Sequence, residues 1–106
     1  MSASDVRVKK VAVELDKPRH LCYDMNAFAD LEEKFGSVQK AFDALKSEKL
    51  SAVRYILWAG LTHEDDKLTE RGVGKLFTLG DIPALVRPMM DAITSSLPKA
   101  DEAKNE

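Results

Sequence analysis

His63-Glu64-Asp65-Asp66 is the densest run of ligand-type side chains in the chain, and the chemistry it raises is metal binding or acid–base catalysis. A zinc hydrolase helix needs two histidines one turn apart with a glutamate beside the first, but the second histidine here is His20, far upstream. A calcium loop of the EF-hand kind needs oxygen ligands at alternate positions around a central glycine, whereas these acids are adjacent and no glycine follows at that place. The run therefore reads as a solvated turn in which Asp65 or Asp66 hydrogen-bonds to nearby backbone. His20 and Cys22, two apart on one strand face, can be drawn as base and nucleophile, yet no orienting residue or oxyanion donor can be named beside them. Gly72-Val73-Gly74 follows no strand and lacks the rest of a phosphate-binding fingerprint. The expectation is a protein that is not an enzyme and holds neither metal nor cofactor.

The elements that must position these residues are legible as periodicities. Residues 6 to 15 alternate, with Val6 and Val8 on one parity and Val11, Val13 and Leu15 on the other, predicting a strand with a bulge at Lys9-Lys10. Asp16-Lys17-Pro18-Arg19 supplies a turn, and His20 to Tyr23 return as a second strand. Asp24 or Asn26 can cap a helix carrying Phe28, Leu31 and Phe35 and closed by Gly36. Ser37 can cap a second helix with Val38, Ala41, Phe42 and Leu45 on one face. A third is expected from Ser51 and is apolar around nearly its whole circumference, which places Ile56, Leu57, Trp58 and Leu61 in the core. Thr69 and Glu70 open a fourth, weakened by Gly72 and Gly74, two residues that imply a short helix or close packing against a neighbour. Asp81 and Pro83 begin the last, which Pro88 should kink or split and Pro98 should stop.

The expected fold is mainly α in an α+β sense: a small bundle of about four to five helices behind an N-terminal two-stranded β-hairpin. Residues 6–97 form the single domain, with residues 1–5 as a flexible start and 98–106 as a disordered charged tail lacking any large apolar group. A hairpin alone is marginal, so one of its faces must lie on the helices.

A stripe on the last helix, Leu85, Val86, Met89, Met90, Ile93 and Leu97, is the candidate for partner binding. Methionine side chains are flexible and polarisable and repack against varied apolar partners. Leu85, Met89, Met90, Ile93 and Leu97 are its expected contact residues; the competing use of the same stripe is to cover the domain's own core.

Composition bounds the rest. With 44% apolar residues the chain can bury a core, and a net charge of −2 with interspersed signs offers no basic field for nucleic acid. The single cysteine cannot form an intrachain disulfide and suits a reducing compartment. No window approaches the roughly 20 apolar residues of a membrane span, so neither nucleic acid nor membrane is an expected partner.

Tyr55 to Lys75 join an apolar helix ending in Ala59-Gly60-Leu61 to a His-Glu-Asp turn and then to Leu68-Thr69, which open a helix carrying Val73 and Leu76. Together with the preceding Tyr23 to Gly36 segment, this pattern resembles the small tail assembly chaperones of tailed phages and prophages. The resemblance covers roughly residues 6 to 80 and departs from the family at Gly72 and Gly74, where helix-favouring residues are more usual. It implies a non-enzymatic protein in the cytoplasm of the bacterial host that binds the tape measure protein and keeps it soluble until tail tube subunits displace it. It also implies that the chain is the short form, a longer frameshifted form recruiting the tail tube protein. A structural minor tail or head-completion protein, or a small regulatory partner-binding domain, stays open as an alternative, and so does a homo-oligomer.

Overall fold

Two short antiparallel strands begin the fold. In the computed structural model, which describes residues 10–97, β1 (Lys10–Glu14) and β2 (Pro18–Cys22) pair in the register Lys10↔Cys22, Val11↔Leu21, Ala12↔His20, Val13↔Arg19 and Glu14↔Pro18. The alternation turns Val13, Arg19 and Leu21 inward and leaves Ala12 and His20 exposed. Pro18, expected as a turn residue, instead opens β2, a place where proline is tolerated because no central ladder bond is lost. Arg19 is buried, and its guanidinium donates to both oxygens of Asp16 at 2.7 and 3.0 Å. That fork neutralises a charge which would otherwise be costly under the sheet. The expected flexible start, the strand residues Val6 and Val8, the lysine bulge, the stop at Pro98 and the charged tail lie outside the described residues.

Five helices follow, and most of their ends are set by short polar side chains. The Asp24 carboxylate accepts from the Ala27 N–H at 2.9 Å to start α1 (Met25–Phe35), and Gly36 ends it at φ 99°, where its N–H donates to the Glu32 carbonyl. Ser37 Oγ accepts from the Lys40 N–H to start α2 (Val38–Lys46). The third helix, α3 (Leu50–Leu61), begins one residue before the expected Ser51, at a Lys49 cap that makes no side-chain bond. Thr69 Oγ1 accepts from the Gly72 N–H and starts α4 (Glu70–Gly74), a single short turn of helix. A 3-10 turn over Leu79–Asp81 leads into α5 (Ile82–Ser96). Asp81, expected to cap α5, spends its carboxylate on the Thr78 N–H and hydroxyl.

The expected break at Pro88 does not occur: α5 is one continuous helix through it. Proline there forgoes one bond to the Ala84 carbonyl. Ala84 is exposed, on a side of the helix where water can satisfy a carbonyl that lacks its intrahelical donor, so the break is not forced.

Most of these elements gather on α3. It packs against β2, α1, α2, α4 and α5, and Val53, Ile56, Leu57 and Leu61 are fully buried on it. Trp58, expected in the same core, is only half-buried; its indole N–H donates to the Leu68 carbonyl at 3.0 Å and its ring packs beside Tyr55, centroids 5.2 Å apart. An indole N–H needs a partner when covered, and the nearby loop backbone supplies one at the edge of the core. The hairpin and α5 lie on the other sides of α3, so the inner face of the sheet is closed by helices.

One close approach governs the seating of the hairpin. Tyr23, just past β2, is fully buried and its hydroxyl donates to the Ile56 carbonyl at 2.7 Å. Burial pushes its phenol well above the usual range, which keeps it a donor. The ring lies where a side chain on Gly60 would be: a Cβ there falls 2.6 Å from Tyr23 Cζ and 2.8 Å from its oxygen. Gly60→Ala is therefore expected to destabilise the domain by about 1–3 kcal/mol, as overpacking does, despite alanine's better helix propensity. Urea unfolding measures this; the cost should shrink when Tyr23 is replaced by Leu, and an unchanged or stabilised Gly60→Ala protein contradicts the contact.

Candidate functional site

The sequence kept His20 and the His63 to Asp66 run apart, and the fold brings them together. The turn after α3 lies along the outer edge of β2. Glu64 Oε1 accepts from the His20 backbone N–H at 3.1 Å, its Oε2 meets the His20 ring Nδ1 at 2.9 Å, and His63 Nε2 donates to the His20 carbonyl at 2.7 Å. One carboxylate and one imidazole thus satisfy both backbone groups of His20 across more than forty residues of chain. Asp65 shapes the turn, its carboxylate accepting from the Lys67 N–H and its carbonyl from the Leu68 N–H.

This arrangement fastens backbone rather than presenting reactive groups. His20 bonds to Glu64, and no hydrogen bond joins it to Cys22 among the described residues. Cys22 is buried, and that burial, with Asp24 near it, pushes the thiol up and disfavours the thiolate. Among the described residues no group of three or more His, Cys, Asp or Glu side chains is placed to hold a metal ion.

The stripe on α5 divides into inner and outer members. Leu85, Met89 and Ile93, expected as partner contacts, are instead core residues, with Met89 at 0% exposure. The reason is geometric: residues at this spacing share one helix face, and α5 turns that face to β1, α2 and α3. Met90 is half-buried and Leu97 is 38% exposed, so these two alone of the five offer surface. Leu97 lines a small cavity of about 190 Å³ with Val38 and Phe42 of α2.

A larger apolar concavity lies elsewhere. Leu50 at the head of α3, Phe77 and Leu79 from the α4–α5 connection, and Ile82 at the head of α5 line an open groove of about 590 Å³, with Arg54 and Thr78. Leu50 is 56% exposed and Leu79 69%. Arg54 crosses one side of the groove: its Nε donates to Glu70 at 3.1 Å, and its stem passes Gly74, where a Cβ would sit 3.2 Å from Arg54 Cδ. The glycine that weakens α4 is thus the residue that lets the arginine lie flat, the close packing its position implied. Leu50, Phe77 and Leu79 follow no helical period, which is why a search for periodic stripes passes over them; the available signal was large apolar residues placed between Gly74 and Gly80 in a connecting segment.

No helix of the described residues is long and apolar enough to cross a membrane. Comparison of the chain with protein-family models, with curated proteins and with solved structures finds no match.

Glu64 gives this region a pH signature. Partial burial raises its carboxyl, but the hydrogen bonds from the His20 backbone and ring, with His63 nearby, outweigh that and hold it below the ordinary glutamate range. A group with a depressed folded pKa contributes stability that is present above its unfolded value and is lost as pH falls through the folded one. Thermal melts across the acid range should therefore show the wild-type protein losing its advantage over Glu64→Gln as pH drops. A constant difference between the two proteins at all pH values would contradict the clasp.

Proposed function

We propose that the chain is a non-enzymatic tail assembly chaperone, which covers an apolar helical segment of a tape measure protein in the cytoplasm of the bacterial host. The observation that carries this reading is the open groove between α3, α4 and α5, where Leu50 and Leu79 are left largely exposed beside Phe77 and Ile82. Large apolar side chains grouped on a surface mark an interaction site more often than isolated ones do. A concave apolar strip of this kind suits the striped face of an amphipathic helix. The resemblance of the Tyr23–Gly36 and Tyr55–Lys75 segments to tail assembly chaperones supplies the kind of partner.

The physical demand on such a protein is temporary cover. A long helix with an apolar stripe aggregates unless the stripe is shielded, and a shield that must later be displaced works through replaceable apolar contacts rather than buried ion pairs. Leu50 and Leu79 lie at the start of α3 and on a connecting segment, where side chains adapt to a guest at little cost to the core.

Co-expression with the tape measure protein tests the reading. The expected result is that this protein moves it from the insoluble to the soluble fraction, and that Leu50→Asp and Leu79→Asp abolish the effect while leaving the melting temperature close to wild type. Met25→Asp, at an exposed apolar residue away from the groove, should keep it. Failure of the wild-type chain to solubilise the partner, or equal rescue by the groove variants, overturns the proposal.

A further inference from the structure

The two outer edges of the hairpin are treated differently. Because the His20 N–H and C=O point to Glu64 and His63, the Ala12↔His20 pair is one of the pairs that exchange no ladder bonds, and so are its neighbours two residues away, Lys10↔Cys22 and Glu14↔Pro18. On β2 the middle of that outer edge is closed, since both backbone groups of His20 are taken, and Pro18 at its start has no N–H to offer. On β1 the same phase leaves the N–H and C=O groups of Lys10, Ala12 and Glu14 directed outward, and no side chain or other segment of the described residues meets those of Ala12 and Glu14. An open edge of this kind is a template for another strand.

We propose that β1 is a self-association edge, on which a second copy of this chain pairs antiparallel about Ala12 to make one four-stranded sheet. The choice of occupant follows from the charge pattern. Antiparallel self-pairing centred on Ala12 sets Lys10 opposite Glu14 of the second copy, and Glu14 opposite its Lys10, on the exposed face. Oppositely charged residues directly across a ladder are favourable. A parallel arrangement would instead place Lys10 against Lys10 and Glu14 against Glu14, which is unfavourable. At the centre, Ala12 meets Ala12 and sets no steric limit. On the inner face Val11, only half-buried in the single chain, comes opposite Val13 of the second copy.

Space exists for the added strand. A groove of about 310 Å³ runs beside β1, lined by Ala12, Glu14, Leu76, Ala84 and Pro88 among others. The α5 flank there carries the exposed Ala84 and the half-buried Pro88 beside the buried Leu85, with the half-buried Leu76 across from them, so the side chain that a second strand meets first on α5 is the small one of Ala84. The inference stands apart from the chaperone reading, since the edge and the Leu50–Leu79 groove are built from different residues.

Sedimentation and native mass spectrometry of the full chain over a concentration series test the pairing. The expected result is a monomer–dimer equilibrium that Lys10→Glu alone, or Glu14→Lys alone, weakens by roughly tenfold or more, because each puts like charges across the ladder twice. Mixing the two single variants should restore association as a heterodimer, since every opposed pair is then of opposite sign. Ala12→Pro, which removes an outward N–H and no ladder bond within the hairpin, should abolish association while circular dichroism shows the fold intact. A chain that is monomeric up to its solubility limit, or a dimer indifferent to all three substitutions, overturns the proposal. So does a β1 edge whose amides gain exchange protection only when a foreign extended peptide is added.

Discussion

The contact between Tyr23 and the Ile56–Gly60 turn of α3 is the constraint on which the rest of the structure depends. It is the point where the hairpin, which cannot hold itself together, is fixed to the one helix that touches nearly every other element. The glycine admits the ring, the ring fills the space beside the helix, and the hydroxyl finds a carbonyl that a purely apolar side chain would leave without a second partner. Fill the glycine's vacancy and the Tyr23 ring must shift, which strains the seat that holds Leu21 and β2 against α3.

From that fixed point the two surfaces proposed for binding follow. Seating β2 on α3 carries its outer edge to the turn after α3, where Glu64 and His63 close it, and leaves β1 as the edge that faces outward. Seating α5 across the other side of α3 uses up Leu85, Met89 and Ile93. The apolar residues of the connection between α4 and α5, with Leu50, are then left at the surface. A domain of this size has little apolar area to spare, so the exposure of Leu50 and Leu79 beside Phe77 weighs toward binding.

Local chemistry made most of the fold legible. The β-hairpin, the caps at Asp24, Ser37 and Thr69, the glycine stop at Gly36 and the central α3 are all decided by neighbours within a few residues; the caps and the stop stand as read, while β2 runs over Pro18–Cys22 rather than His20–Tyr23 and α3 starts one residue early. What was not legible depends on residues distant in sequence. Trp58 looks like a core residue by its apolar neighbours but lies at the flank beside Tyr55, because the circumference of α3 is shared among five other elements. The α5 stripe has the same periodicity whether it faces a partner or the core, so pattern alone could not choose. Proline breaks helices in general, but Pro88 stands one turn after the exposed Ala84 and α5 runs on through it. The joining of His20 to Glu64 and His63 has no local signature at all, and the groove has only half of one, since Phe77 and Leu79 stand together between Gly74 and Gly80 but Leu50 comes from a distant place in the chain.

The most direct test of this account is native-state amide hydrogen exchange on the full chain at low denaturant. If the Tyr23 contact welds the hairpin to α3, the ladder amides of Val11, Val13, Arg19 and Leu21 exchange through the same opening, with the same free energy, as those of Ile56 and Leu57. Strand amides that exchange through a separate, cheaper opening while α3 stays protected would show that the hairpin is an appendage and that the fold does not depend on its seating.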